Sequence, residues 1–184
     1  METPLTPQQL LKAAEFAAEK HKHLRRKDID HIPYINHLIR VARLLAEQVP
    51  DADRNLILGA LLHDVIEDTT TSPQELANEF GDDVAELVME VTDDKSQPKY
   101  RRKQLQIDRA PHKSRNARLI KLADKISNLS DLIIAPPEKW SVDECKEYAA
   151  WANQVIDRIR GTHAGLEHLF DETLKEFYHA MEPK

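Results

Sequence analysis

The stretch LGALLHDVIED, residues 58–68, constrains the fold more than any other part of the chain. Leu58, Leu61, Leu62, Val65 and Ile66 cover most of a helical surface, so a helix here is buried almost all round. The same stretch carries His63, Asp64, Glu67 and Asp68. On one continuous helix His63 stands i, i+4 from Glu67, as does Asp64 from Asp68, so both pairs fall on neighbouring strips of one face. An apolar helix has no packing reason to collect four ionisable groups. Burying them is costly unless a metal ion or an opposite charge compensates. The pattern predicts a central helix that supports a metal site.

Other helices are expected around it. Thr6 and Pro7 open a first helix in which Leu10, Leu11, Ala14, Phe16, Ala17 and Ala18 recur at helical spacing. KHKHLRRKDIDHIPY (20–34) has no usable apolar period and reads as a loop or short hairpin. Helical periodicity resumes over Asn36–Val49, Pro50 breaks it, and Asp53 is placed to cap the central helix. After the TTTS run, shorter helices are expected near 73–80 and 82–92, divided by Gly81, with a further one before Pro111. A long amphipathic helix spans Ser114–Ile134 and stops at Pro136-Pro137. Ser141 and Glu144 have capping-box spacing before a helix through Arg160, and Gly161 precedes a last one to about Met181. The chain has only 4 Gly, and its periodic runs are long. The expected fold is all-α: one compact domain over residues 1–184, about eight to ten helices, little or no strand.

Composition narrows the function. With 184 residues, 41% of them hydrophobic and 32% charged, the chain can bury a core without disulfides. The net charge of −6 argues against a nucleic-acid partner. No apolar run approaches the roughly 20 residues that span a bilayer, so no membrane partner is expected. Cys145 is the one cysteine and suits a reducing compartment, and METPLTPQQL lacks a signal pattern. The expectation is a cytoplasmic protein. Homo-oligomerisation is not readable.

Two further positions complete the metal constellation. His37 lies at a helix start in the apolar-periodic PYINHLIRVARLL. Asp124, in LIKLADKISNL, lies mid-helix, where Asp has poor propensity and is expensive to bury unpaired. His37, His63, Asp64 and Asp124 offer two imidazoles and two carboxylates from three helices. That set suits one divalent first-row ion such as Mn, Fe, Zn or Co, with positions open for water and substrate. The absence of thiolates argues against a closed structural zinc site.

The order H…HD…D, with HDVIED at its centre, resembles the HD-domain metal-dependent phosphohydrolases. AAEFAAEKHKHLRRKD, PYINHLIRVARLL, ALLHDVIEDT, FGDDVAELVMEVTDDKS, RLIKLADKISNLSDL and EYAAWANQV are similar to the guanosine tetraphosphate (ppGpp) hydrolase domain of the bifunctional alarmone enzymes. They are most similar to its stand-alone form, the small alarmone hydrolases of the metazoan SpoT-homologue type. The resemblance implies that His37, His63, Asp64 and Asp124 hold a metal, with Mn²⁺ preferred. It implies that Glu67 and Asp68 are the catalytic acidic pair acting with the attacking water. It further implies hydrolysis of the 3′-pyrophosphate of ppGpp or pppGpp, giving GDP or GTP and pyrophosphate. The usual His-Pro is His37-Leu38 here, which leaves the ligand in place. No synthetase segment follows, so hydrolysis without synthesis is expected.

On the substrate side, Arg26 and Lys27 precede the first ligand, and the resemblance sets them against guanine and phosphates. Lys95, Lys99, Arg101, Arg102 and Lys103 form a basic cluster able to meet phosphates, or equally a solvated helix face. Lys121 and Asn128 lie i−3 and i+4 from Asp124, hence on its face. Tyr148 matches a family position near the nucleotide. The candidate substrate-binding set is thus Arg26, Lys27, Lys95, Lys99, Lys121, Asn128 and Tyr148. Taken singly, Asp124 could instead pair with Lys121 or Lys125. Trp151 reads as core, and His21, His23, His31, His112, His163, His168 and His179 as surface residues. The competing reading is another HD-domain phosphohydrolase, acting on nucleoside monophosphates or NADPH. A non-catalytic nucleotide sensor is a further class.

Overall fold

Most helices of the computed structural model begin where the sequence supplies a cap; the structure describes residues 4–28 and 30–182. α1 (Pro7–Lys20) follows Thr6, whose hydroxyl accepts the Gln9 N–H while the Gln9 side chain accepts the Thr6 N–H. α2 (Ile35–Gln48) begins without a side-chain cap. Between them the segment expected as loop or hairpin makes one isolated antiparallel bridge, Arg25 to Pro33. α3 (Arg54–Leu62) is capped by Asp53, which accepts the Leu56 N–H at 2.6 Å. α4 (Val65–Asp68) is a single turn, and Ser72 caps α5 (Pro73–Phe80). Gly81, at φ 96°, takes the left-handed backbone between α5 and α6 (Asp82–Val91).

α7 (Lys99–Arg109) runs into a 3₁₀ turn at Ala110–His112. Ser114 then caps α8 (Arg115–Ile134), and Ser141 with Glu144 makes the capping box of α9 (Val142–Asp157). The His163 side chain accepts the Leu166 N–H at the start of α10 (Ala164–Ala180), so this histidine is a half-buried cap and not a surface residue. The described residues contain no strand, and the all-α expectation holds.

α3 is the centre. Leu56 to Leu62 are all buried, and α3 packs against α1, α2, α6 and α8. Its approach to α6 is close enough that a Cβ on Gly59 would lie 2.7 Å from Leu87 Cδ2. α8, buried from Leu119 through Ser127, packs on α2, α6 and α10. Truncating a side chain such as Leu58 here removes about 2–5 kcal/mol of stability. α7 differs from both. None of its residues is buried, and it rests on α9 and the 3₁₀ turn.

The sequence predicts one helix through 58–68, and here the structure departs from it. α3 stops at Leu62, His63 and Asp64 form a turn, and α4 follows. Asp64 takes the bridge region, at φ −101° and ψ −1°. The last carbonyls of α3 consequently have no helical partner, and one of them fixes the orientation of His63.

Candidate active site

His63 Nδ1 lies 2.8 Å from the Ala60 carbonyl oxygen. A carbonyl only accepts, so Nδ1 carries the hydrogen and Nε2 turns inward. His37, on α2, has Nδ1 3.1 Å from Ser127 Oγ of α8 and likewise turns Nε2 inward. Both Nε2 atoms are buried, with no hydrogen-bond partner among the described residues. Around them lie Asp124 Oδ1, 3.2 Å from His37 Nε2, and Asp64 Oδ2, 3.1 Å from His63 Nε2. The crossed distances are 4.0 Å from His37 to Asp64 and 3.9 Å from His63 to Asp124. His37, His63 and Asp124 bring one ligand atom each within 4.8 Å of one another.

Two imidazole lone pairs with no donor to meet, facing two carboxylates, are the donor set of a divalent cation. The residues present fit such an ion. Without it, burial opposes charge on His63, but Asp64 and then Asp124 outweigh burial and raise His63 to about 9. Burial lowers His37. An ion held by these residues would need His63 Nε2 deprotonated, so its binding would be coupled to release of that proton.

A second layer holds the carboxylates. The Tyr34 hydroxyl donates to Asp64 Oδ2 at 2.7 Å. Lys125 Nζ lies 3.1 Å from Asp124 Oδ2, and Asn128 Nδ2 donates to Asp124 Oδ1 at 2.6 Å. The pairing of Asp124 with Lys125 therefore exists alongside its place among the possible ligands. Arg26 Nη2 donates to Asn128 Oδ1 at 2.6 Å and to Asp131 Oδ2 at 2.7 Å, and Asp131 also pairs with Arg40. His21 is buried against expectation. Its ring stacks on Tyr34 at 5.2 Å, behind the Asp64 contact.

Glu67 and Asp68 part company. Glu67 Oε2 accepts the Asp93 N–H at 2.9 Å, and Oε1 lies 4.0 Å from Arg102 Nη1. Burial, and next Asp64, push Glu67 up to about 7. Asp68 pairs with Lys95 and lines a cavity of about 420 Å³. Arg26, Lys27, Lys95, Asn128 and Tyr148 line the same cavity, as do Tyr34 and Trp140.

Five of the seven candidate substrate residues thus meet in one place. Lys99 does not line the cavity. Its ammonium lies 5.9 Å from the ring centroid of Trp140, which does line it. Lys121 is buried near Glu67 and does not line the cavity. Trp151 is half-buried, with its indole N–H on the Lys103 carbonyl and Lys125 Nζ 4.4 Å from its ring. Tyr34 and Trp140 were not singled out by the sequence, and Lys125 and Arg102 only as a possible partner of Asp124 and as one of a basic cluster. Of the two that were missed, only Tyr34 carried a local signal, as a neighbour of His37.

Residues 13–153 match the family described as HD domain. The chain is 50% identical over 162 residues to the guanosine-3′,5′-bis(diphosphate) 3′-pyrophosphohydrolase MESH1 of Xenopus tropicalis, covering 88% of this chain and 90% of that protein. To the protein of the same name from Homo sapiens it is 49% identical over 168 residues, covering 91% and 94%. A solved metazoan orthologue of SpoT, described as hydrolysing ppGpp, superposes with a TM-score of 0.90 at 43% identity, covering 94% of this chain and 97% of that one. No helix among the described residues is long and apolar enough to cross a membrane.

Proposed function

The chain belongs to the HD-domain family, and we propose that it hydrolyses the 3′-pyrophosphate of guanosine tetra- and pentaphosphate, giving GDP or GTP and pyrophosphate. The observation that carries this reading is the pair of buried Nε2 atoms facing Asp64 and Asp124, one hydrogen bond behind a cavity lined by Arg26, Lys27 and Lys95. Asp64 is the fourth ligand beside His37, His63 and Asp124, and Mn²⁺ is the ion. The protein acts as one domain over residues 1–184, since α10 lies beyond the matched segment yet packs on α8. It works in the cytoplasm, where a lone buried Cys145 stays reduced, and its partner is a guanine nucleotide and not a nucleic acid.

The reaction joins a water oxygen to the phosphorus next to the ribose and breaks the bond from that phosphorus to O3′. A divalent ion, when bound, offsets phosphate charge and lowers the pKa of water. Glu67, raised towards neutrality by burial and then by Asp64, takes the proton of the attacking water. Asp68, on the cavity wall and paired with Lys95, orients that water, and the proton taken by Glu67 passes through solvent to O3′. The Arg26 guanidinium, 5.5 Å from the Tyr34 ring centroid, stacks on the base in the cavity that Trp140 and Tyr148 also line. Lys27 and Lys95 meet phosphates.

Incubating Mn²⁺-loaded protein with ppGpp and, separately, with NADPH tests this. Pyrophosphate and GDP from ppGpp are expected. Orthophosphate from NADPH with ppGpp left intact sinks the reading in favour of another phosphohydrolase.

A further inference from the structure

Five buried side-chain atoms have no hydrogen-bond partner among the described residues. His37 and His63 Nε2 belong to the metal centre, and His21 Nε2 lies behind Tyr34. The other two, Arg102 Nε and Gln106 Oε1, stand i, i+4 on α7. They share one face of a helix that buries no residue. That face turns towards the catalytic carboxylate. Gln106 Nε2 donates to Asp93 Oδ2 at 2.7 Å, and the Asp93 N–H donates to Glu67.

Arg102 Nη1 stands 4.0 Å from Glu67 Oε1, beyond hydrogen-bond range, so its guanidinium is close to the site yet not consumed by it. A guanidinium N–H shut off from solvent without an acceptor is an unfavourable arrangement that an incoming anion relieves. Lys121, buried on α8, adds positive charge near the same carboxylate. A lone carboxylate does not need two cations, whereas a diphosphate passing it does.

Resting on the proposed function, we propose that Arg102 binds the terminal phosphoryl group of the substrate's 3′-diphosphate. That group does not depart on its own. When the phosphorus beside the ribose gains the water oxygen and loses O3′, the terminal phosphoryl remains joined through its bridging oxygen and leaves within pyrophosphate. Arg102 therefore holds substrate and pyrophosphate product alike, and has no part in binding GDP. A planar fork with several donors suits this better than the ammonium of a lysine.

The test uses product inhibition of the full, Mn²⁺-loaded chain. Arg102→Gln should raise the inhibition constant of inorganic pyrophosphate by about tenfold and leave that of GDP within about twofold. Arg102→Lys should fall between. Unchanged pyrophosphate inhibition, or equal weakening towards pyrophosphate and GDP, overturns the proposal. A role confined to Glu67 would move the pH profile and leave pyrophosphate inhibition alone, and so also overturns it. If the wild type does not turn over ppGpp, the function itself has failed. Calorimetric titration with pyrophosphate then decides the inference separately: about tenfold weaker binding by Arg102→Gln supports it, and equal binding overturns it.

Discussion

His37, His63 and Asp124 come from α2, the end of α3 and α8, helices whose inward faces are closed by Leu38, Leu62 and Leu122, whereas Lys99, Arg102 and Lys103 come from α7, which buries none of its residues. At the metal end, apolar packing fixes the ligand atoms before any ligand arrives. On α7 the cations are held by polar contacts at a surface: an indole N–H to the Lys103 carbonyl, a glutamine to Asp93, ammonium groups over Trp140 and Trp151. The two regions divide the work accordingly. On the proposed function, one sets up the reacting centre rigidly, and the other adjusts to phosphate. Substitutions should therefore abolish function at the first and grade it at the second.

Asp124→Asn should break this division most sharply. It removes one ligand charge and turns one of the two oxygens that accept from Asn128 and Lys125 into a donor, so metal content and ppGpp turnover should fall in step. The loss should exceed the roughly 10²–10⁴-fold worth of a general base, because Glu67 loses the activated water it acts on. Metal analysis alongside a turnover assay checks it, and full metal with lost turnover would contradict the assignment. Glu67→Gln should do what Asp124→Asn does not: keep the metal and lose about 10²–10⁴-fold in kcat. In the wild type the base form of Glu67 is lost as pH falls through about 7, so kcat/KM should decline on the acid side. A bound cation opposes the share of that shift due to Asp64, which puts the limb at or below that value. The limb should be absent in Glu67→Gln. Its persistence would assign it to another group.

Tyr34→Phe probes the second layer. The Asp64 carboxylate loses one donor while the ring keeps its stack on His21, so metal affinity should weaken by about tenfold with little change in fold. A metal titration that matches the wild type would make the Tyr34 contact incidental.

How much of this the sequence reveals follows the same division. His37 and Asp124 are legible because each interrupts an apolar period, where a polar side chain needs a reason. Helix boundaries are legible where caps are local, as at Thr6, Asp53, Ser72, Ser114 and Ser141. The break after Leu62 is not, since VIED has nothing against continuing a helix. Its tertiary cause is the demand that His63 face α8 while Asp68 faces the cavity. Tyr34, His21 and Arg102 act across the fold on Asp64 and Glu67, and no spacing rule reaches 30 residues along the chain. Lys121 shows the opposite error. Helical spacing set it correctly on the face of Asp124, but Lys121 and Asn128 stand just under two turns apart along that face, and only Asn128 reaches the cavity.

The smallest effects separate the cations within the basic set. Arg26 lines the cavity with its side chain 15% exposed and tied to Asn128 and Asp131. Arg26→Ala should raise KM by about tenfold, the worth of one charged hydrogen-bonding contact, with a lesser fall in kcat because Asn128 keeps its bond to Asp124. Lys99→Ala should change either parameter by no more than about twofold, since its ammonium sits 5.9 Å from the Trp140 ring and outside the cavity. Steady-state kinetics on both variants decide between two pictures. A large effect from Lys99 would mean that α7 closes further over the substrate than this structure has it. A small one, beside a clear Arg26 effect, assigns recognition to the cavity wall and leaves α7 with the single contact proposed for Arg102.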